Sequence, residues 1–196
     1  MNIKEKTITE PFIRWAGGKQ KIIRKLIQYL PDDVEKRFYK EPFLGAGSLF
    51  FAIKPQRAIL SDANEHLINC YNYVKSHYNS ISHYLDQHRK RTCQEYYYYI
   101  RKLYNDSNPS PAQAARFIYL NKTCFNGIFR VNKKNQFNVP YGWKEPPALP
   151  SRTQLKDAAI ALANAKLLTV SFENILGSIK SNDFIYLDPP YPPLNG

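Results

Sequence analysis

The chain has 196 residues, enough for one sizeable domain with a smaller insertion, and its 43% hydrophobic content excludes wholesale disorder. Its 28 Lys and Arg against 16 Asp and Glu give a net charge of +12, which favours a polyanionic partner such as nucleic acid. The alternative is a basic charge that serves only solubility. The 15 tyrosines and 11 phenylalanines also suit nucleic acid, because aromatic rings stack on bases.

The cysteines and the hydropathy pattern exclude several other classes of protein. Cys70, Cys93 and Cys124 are odd in number and far apart, which argues against a disulfide framework and against a metal site. Residues 1–10 are polar, unlike a signal peptide, and no apolar run reaches the roughly 18 residues that a membrane span needs. We therefore expect a cytoplasmic protein that binds no metal.

The first third of the chain alternates helices with short apolar strands. This order, with a glycine turn after the first strand and an acidic residue after the second, is typical of a doubly wound parallel sheet. The predicted elements are a helix over 18–30, a strand over 38–44, a helix over 48–53, a strand over 57–61 and a helix over 64–76.

Residues 76–152 differ in character and are predicted to be an insertion into the sheet. A tyrosine-rich basic helix spans 96–104, a loop spans 107–111, and a helix spans 112–120. The following stretch is rich in Asn, Lys and aromatic residues, and its Asn126-Gly127 pair is a strong hairpin-turn signal. The α/β pattern returns with a helix over 154–163 and strands over 166–170 and 184–187.

The loop over residues 43–50 is a candidate ligand-binding turn. Gly45 and Gly47 let the backbone approach a ligand closely, and the helix that follows begins with free N–H groups. Such a loop can hold a phosphate or the amino acid half of S-adenosylmethionine, although a tight strand-to-helix turn also selects glycine. The six-residue Gly-x-Gly-x-x-Gly pattern is absent, which argues against a nicotinamide cofactor.

Asp62 stands at the end of the second predicted strand. A carboxylate within about 20 residues of the glycines is placed to accept hydrogen bonds from ribose hydroxyls. The alternative is an N-cap for the helix that begins near Asn64. Its position directly after the strand favours ribose binding.

The run Asp188-Pro189-Pro190-Tyr191 directly follows the apolar strand over 184–187. That strand brings the run to the carboxyl edge of the sheet, where open α/β folds bind ligands. The prolines stiffen the backbone, and the Asp188 carboxylate and Pro189 carbonyl can accept both hydrogens of an exocyclic amino group and direct its lone pair toward a methyl donor. Tyr191 can stack on a base that has left the duplex. A proline-rich turn is the alternative.

Five segments together resemble the Dam-type (deoxyadenosine methylase) family of DNA adenine-N6 methyltransferases. They occur in the family's order and span nearly all of the chain. The resemblance implies S-adenosylmethionine as methyl donor, duplex DNA as substrate, and a Rossmann-like sheet interrupted by a mainly helical target-recognition domain over residues 76–152. Residues 1–75 and 153–196 then form the catalytic domain. The segments are 12–19, 43–50, 61–64, 121–142 and 188–191.

The resemblance also assigns roles to single residues. Trp15 and Lys19 are implied to line the cofactor site with Gly45 and Gly47, Asp62 to bind the ribose, Asp188 to lie beside the methyl group, and Phe172 to lie near the cofactor's adenine. By residue type alone, Trp15 and Phe172 also suit a hydrophobic core, and Lys19 a solvated helix face. The implied catalytic residues are Asp188, Pro189 and Tyr191.

The stretch from Asn121 to Lys133 resembles the family's DNA-entering hairpin. Phe125 and Asn126 are expected beside the flipped base, Arg130 on a guanine, and Ile128 on a thymine methyl, with Asn132 completing the set. A merely solvated hairpin is the alternative. The family's usual target, GATC, is the expected site, as in restriction–modification enzymes. Lysines expected to contact phosphates are Lys122, Lys133, Lys134 and Lys144.

The chain departs from the family at its C-terminus. Members of the family continue for several tens of residues past the Asp-Pro-Pro-Tyr motif, whereas this chain ends five residues after it, at Gly196. We therefore expect an incomplete sheet whose exposed edge accepts a complementing C-terminal fragment. Two other functions stay open, namely a truncated, catalytically silent DNA-binding remnant and a cytosine-N4 methyltransferase.

Overall fold

The fold is an α/β sheet with an inserted helical region, as the sequence predicts. The computed structural model describes residues 8–143 and 147–190. All three strand pairs are parallel, and the strand order is β3-β2-β1-β4, so the chain crosses over at β1. The strands are β1 (Phe38–Glu41), β2 (Arg57–Asp62), β3 (Ala165–Thr169) and β4 (Asp183–Ile185).

Helices connect the strands and build the inserted region. Short α1 and α2 pack against each other, while the long α3 packs on β3, α5 and α6. Within the described residues, the helices are all too short or too polar to cross a membrane. The helices are α1 (Ile23–Gln28), α2 (Ser48–Ile53), α3 (Glu65–Arg91), α4 (Gln94–Asn105), α5 (Pro111–Thr123), α6 (Arg152–Leu162) and α7 (Phe172–Leu176).

Three of the predicted elements are shorter than expected. The strand predicted over 184–187 ends at Ile185. The helix predicted over 18–30 begins with a 3₁₀ turn at Gln20–Ile22 and becomes α-helical only at Ile23. The strand predicted over 38–44 ends at Glu41, because Pro42 has no N–H to continue the ladder. The shortened strand leaves Glu41 at the carboxyl edge of the sheet.

Helix α3 is longer than predicted and crosses the expected boundary between residues 75 and 76. It extends for 27 residues, with one non-helical residue, His77, at φ −136° and ψ 30°. The helix therefore changes direction close to the predicted boundary without ending there. The division into a sheet domain and a recognition domain stays a proposal, and the two parts share α3.

The hairpin comprises residues 124–142, and its tip differs from the prediction. Antiparallel bridges join Cys124 to Tyr141 and Val131 to Phe137, so the chain reverses over residues 132–136. The Asn126-Gly127 pair was expected to form that reversal and instead forms a tight turn at the base of the hairpin, with φ of 54° and 67°. Its turn signal was correct, but its place in the hairpin was wrong.

Strand β4 forms one edge of the described sheet. It pairs only with β1, in the order given above, and Tyr186 N donates to Lys40 O just beyond it. The buried Lys40 fixes the start of β4, because its Nζ lies 2.8 Å from Asp183 Oδ2 and 2.5 Å from Ser178 O. The position of the residues after β4 is therefore determined mainly by β1.

Candidate active site

A cavity of about 280 Å³ opens at the carboxyl edge of the sheet, where ligands bind in open α/β folds. Its walls come from the N-terminal segment before α1, from the loops after β1, β2 and β3, and from the segment after β4. All seven residues that the sequence assigned to a cofactor site therefore line one cavity. The lining includes Trp15, Lys19, Glu41, Gly45, Gly47, Asp62, Phe172 and Asp188.

Trp15 contributes an aromatic wall to this cavity. Its half-buried ring stacks on Phe129 at 5.7 Å and 20°, and on Phe117 at 6.4 Å and 29°. The tryptophan therefore belongs both to the hydrophobic core and to the cavity. Gly45 faces the same ring so closely that a Cβ there would lie 2.8 Å from Trp15 Cδ1, which explains the need for glycine.

Lys19 and Asp188 form an ion pair at the cavity wall. Lys19 Nζ donates to Asp188 Oδ1 at 2.7 Å and to Oδ2 at 2.5 Å, and also to Gly17 O at 2.8 Å. Both side chains are about one-fifth exposed, so solvent screens the pair only in part. The lysine is not a solvated surface charge, and it holds the Asp188 carboxylate toward the cavity.

Asp62 is held by backbone donors from two loops. Its Oδ2 accepts from Gly45 N at 3.1 Å and its Oδ1 from Asn64 N at 3.0 Å. The N-cap of α3 is Asn64, whose side chain accepts from Leu67 N, so the alternative role of Asp62 as the cap is wrong. Burial raises the pKa of Asp62, and the backbone donors oppose that rise.

Glu41 is a site residue that the sequence analysis missed. It is buried at the end of β1, lines the cavity, and its Oε2 accepts from Tyr39 Oη at 2.8 Å. Burial raises the pKa of Glu41 to about 8, and the nearby carboxylates of Asp188 and Asp62 add to the rise. The sequence offers little signal, because the strand that Glu41 ends also contains Lys40, and the burial of both side chains becomes visible only in the structure.

Phe172, the first residue of α7, also lines the cavity. Its ring packs against Phe43 at 5.2 Å, and the side chain stays 37% exposed, so it is not a core residue. Pro189 follows Asp188 and is exposed, whereas Tyr191, the third expected catalytic residue, lies outside the described residues. The rings of Phe43 and Phe172 together form an apolar surface suited to a planar group.

The residues expected to contact DNA lie along the hairpin. Phe125 and Ile128 are large apolar side chains left 53% and 40% exposed. Arg130 Nε donates to Asn138 Oδ1 at 2.8 Å, which orients its guanidinium across the hairpin. Asn132 uses its Oδ1 to accept from the backbone N–H groups of the tip, so it shapes the turn. Asn126 is exposed at the base of the hairpin.

The expected phosphate-contacting lysines differ in environment. Lys133 and Lys134 are exposed at the tip of the hairpin. Lys122 is half-buried near the end of α5, and burial, with a smaller effect of Arg14, lowers its pKa to about 8. Lys144 lies outside the described residues. The side chains of Lys133 and Lys134 are therefore accessible to a DNA phosphate, whereas that of Lys122 is partly covered.

This combination of fold and site defines a class. The parallel sheet has its cavity at the carboxyl edge, with acidic residues at the ends of β1 and β2 and shortly after β4. This arrangement is consistent with the Rossmann-like fold of S-adenosylmethionine-dependent methyltransferases. In the part of the chain that the structure describes, no group of three or more His, Cys, Asp or Glu side chains is placed to hold a metal.

Sequence comparison identifies the family. Residues 15–196 match the profile of the D12 class N6 adenine-specific DNA methyltransferases, and the chain belongs to that family. It is 37% identical to the type II methyltransferase M1.LlaDCHI of Lactococcus lactis subsp. cremoris, over 98% of this chain and 69% of that protein. It is 36% identical to M.MjaIII of Methanocaldococcus jannaschii (95% and 70%) and 34% identical to the DNA adenine methylase of Escherichia coli K12 (94% and 66%).

Proposed function

We propose that this chain transfers a methyl group from S-adenosylmethionine to the exocyclic amino group of adenine in duplex DNA. The observation that carries this proposal is the Asp188 carboxylate, held by Lys19 in the wall of a cavity at the sheet's carboxyl edge. Membership of the adenine-specific family supports the choice of base. The charge of +12 supports DNA as the substrate.

The cavity fits the proposed cofactor. S-adenosylmethionine supplies an electrophilic methyl group on a sulfonium, and it also carries an ammonium group. Glu41, Asp62 and Asp188 place three carboxyl groups around the cavity, which suits a ligand with two cationic centres. The rings of Phe43 and Phe172 offer an apolar surface for its adenine. Asp62 is assigned to the ribose hydroxyls, because its oxygens are already fixed by backbone donors.

The residues after β4 are assigned to the target base. We propose that the Asp188 carboxylate and the Pro189 carbonyl accept the two N–H hydrogens of the adenine amino group. Accepting both hydrogens concentrates the nitrogen lone pair toward the methyl group. The two acceptors need little reorganisation during the reaction, because the protein holds them in place before the base binds. Lys19 keeps Asp188 oriented until the base arrives. Tyr191 stays a proposed stacking partner for the flipped base.

The hairpin is assigned to DNA recognition. Its exposed Phe125 and Ile128 suit insertion beside an extruded base and contact with a thymine methyl. Arg130 suits bidentate pairing with guanine, and the lysines at the tip suit phosphates. GATC is the proposed site, because it is the usual target of the Dam-type family that the chain resembles.

A complementing segment is proposed at the β4 edge. Within the described residues β4 pairs on one side only, and Ile179 and Leu187 beside it are 40% and 51% exposed. An open edge with apolar neighbours favours pairing with a further strand. Co-expression with the residues that follow the Asp-Pro-Pro-Tyr motif in a relative is expected to raise the Tm of the chain. An unchanged Tm would contradict this partner.

The function is tested by methylating defined duplexes with labelled S-adenosylmethionine and identifying the modified nucleoside by mass spectrometry. N6-methyladenine is expected, and N4-methylcytosine would overturn the adenine assignment in favour of the cytosine alternative. Calorimetric titration with S-adenosylmethionine distinguishes the methyltransferase from a catalytically silent DNA-binding remnant. A chain that binds DNA but not the cofactor would be such a remnant. Asp188→Ala is the control, and it is expected to abolish transfer while sparing DNA affinity.

A further inference from the structure

One buried amide joins the cofactor cavity to the hairpin. Asn121, in the last turn of α5, is 1% exposed. Its Oδ1 accepts from Arg14 N at 2.8 Å, and its Nδ2 donates to Arg14 O at 2.8 Å and to Gly127 O at 3.4 Å. A single side chain thus binds the backbone of two segments that are distant in sequence.

These two segments are the ones that the proposed ligands contact. Arg14 directly precedes Trp15, which lines the cofactor cavity, and Gly127 belongs to the turn at the base of the hairpin. The segments also touch directly, because a Cβ on Gly127 would lie 2.8 Å from Arg14 Cδ. A displacement of either segment therefore has to move the other or break the amide's hydrogen bonds.

An aromatic stack forms a second link between the same places. Phe129 lies on the hairpin and stacks on Trp15 at 5.7 Å, and Phe117 of α5 packs against both rings. The hydrogen-bonded link fixes the backbone, and the stack fixes the tryptophan ring. Both links join the wall of the cofactor cavity to the DNA-facing hairpin.

We propose that Asn121 is a positioning residue that couples cofactor binding to DNA binding. A ligand that fixes Trp15 also fixes the turn at Gly127 through the amide, so the second ligand has less to order when it binds. By linkage, each ligand strengthens the other by the same factor, for which about 5- to 100-fold is typical. This inference rests on the proposed function, since it requires that both ligands bind.

The test measures the Kd of S-adenosylhomocysteine, which cannot react, with and without a saturating duplex that the chain methylates. The ratio of the two Kd values is the coupling factor. Asn121→Asp keeps the acceptor for Arg14 N but replaces the donor to Arg14 O and Gly127 O with an acceptor. We expect the coupling factor to fall toward 1 in this variant, while each ligand alone still binds.

Asn105 provides the matched control. Like Asn121 with Arg14, it binds both the N–H and the carbonyl of one backbone residue. Its Oδ1 accepts from Phe137 N at 2.9 Å, and its Nδ2 donates to Phe137 O at 3.1 Å. That pair of hydrogen bonds holds the other limb of the hairpin and, unlike the bonds of Asn121, does not bind the segment that contains Arg14 and Trp15. We expect Asn105→Asp to keep the wild-type coupling factor, even if its DNA affinity falls.

Three results would overturn the proposal: a wild-type coupling factor of 1, an unchanged factor in Asn121→Asp, or an equal loss in Asn105→Asp. If Asn121→Asp does not fold, the neutral and shorter Asn121→Ser, which loses the amide's hydrogen bonds to Arg14 and Gly127, replaces it, and an unchanged coupling factor there also overturns the proposal. A wild-type chain that binds neither ligand would instead contradict the proposed function. The two failures are therefore distinguishable.

Discussion

The cavity and the hairpin are built in different ways. In the cavity, the polar side chains bind one another or the backbone of a neighbouring loop, as Lys19 binds Asp188 and Asp62 binds Gly45. On the hairpin, the side chains that face outward are exposed. The bridges and Asn132 fix the backbone, and Arg130 binds Asn138 within the hairpin, but these side chains are not joined to one another in one network. The polar side chains of the cavity are therefore hydrogen-bonded to one another and to neighbouring loops. The hairpin backbone is fixed, but its exposed side chains do not depend on one another in this way.

This difference predicts how substitutions combine. Changes to groups in one hydrogen-bonded network interact, while changes to separate groups add. A substitution in the cavity is therefore expected to change the effect of a second substitution there. Substitutions of exposed hairpin side chains are expected to act independently. Three predictions test this comparison.

The largest effect is expected at the ion pair. Asp188→Asn is expected to lower the single-turnover rate by about 10³-fold, because it removes the charged acceptor for the amino group. Lys19→Met alone is also expected to lower the rate, but in the Asp188→Asn background it is expected to lower the rate little further. The double-mutant cycle then gives a coupling free energy of about 1–3 kcal/mol. The comparison pair is Lys19→Met with Phe125→Ala, whose effects are expected to add. Additive losses at Lys19 and Asp188 would contradict such a network in the cavity.

An intermediate effect is expected on the hairpin. Arg130→Gln is expected to reduce discrimination of the preferred site by about 10- to 100-fold, because a bidentate contact to a base is lost. Lys133→Gln is the control and is expected to weaken binding equally on all sequences, lowering the salt slope by about 1. Fluorescence titrations on matched and single-substituted duplexes measure both. A uniform loss in Arg130→Gln would assign that residue to the phosphates.

The smallest effect is expected at Glu41. Its pKa of about 8 keeps the carboxyl protonated at neutral pH in the free protein. A cationic cofactor lowers that pKa, so binding releases a proton, and affinity is expected to rise with pH up to about 8, by at most about tenfold per pH unit. Calorimetry in buffers of different ionisation enthalpy measures the released proton.

The control for Glu41 uses two neutral replacements. Glu41→Gln is expected to remove both the proton release and the pH dependence of cofactor affinity. Glu35→Gln changes a carboxyl that does not line the cavity and is expected to leave both unchanged. Proton release that persists in Glu41→Gln would assign the titration to another group, with Asp62 the next candidate because burial also raises its pKa.

The sequence predicted the sheet and most of the cavity, because both follow from local patterns. Apolar runs ended by glycines or acids located the strands to within a few residues, and parallel strands bring such ends to one edge. Asp62 and Asp188 were therefore expected at the same edge. Trp15 and Lys19 were expected beside them only because of the resemblance to the Dam-type family, and the structure brings all four around one cavity.

The remainder depends on contacts between distant parts of the chain. Asn121 looked like one polar residue in a polar stretch, and its importance comes from Arg14, which no local pattern connects to it. The tip of the hairpin was misplaced because the stronger turn signal, at Asn126-Gly127, is used where the hairpin begins. The end of α3 was misplaced because packing on α5 and α6 overrides a weak helical pattern.

The number of residues in helix α3 also sets the rotation of the inserted helical region relative to the sheet. It begins at its cap Asn64, two residues after Asp62, and Lys75 Nζ ties it to Ala165 O of β3 before it continues into the recognition region. One residue inserted between the cap and His77 would turn everything beyond it by about 100° and shift it by about 1.5 Å. That rotation would break the Asn121 hydrogen bonds and the Trp15–Phe129 stack, which hold the hairpin beside the cavity. In the proposed reaction, the number of residues in α3 therefore determines whether the base-contacting hairpin lies beside Asp188.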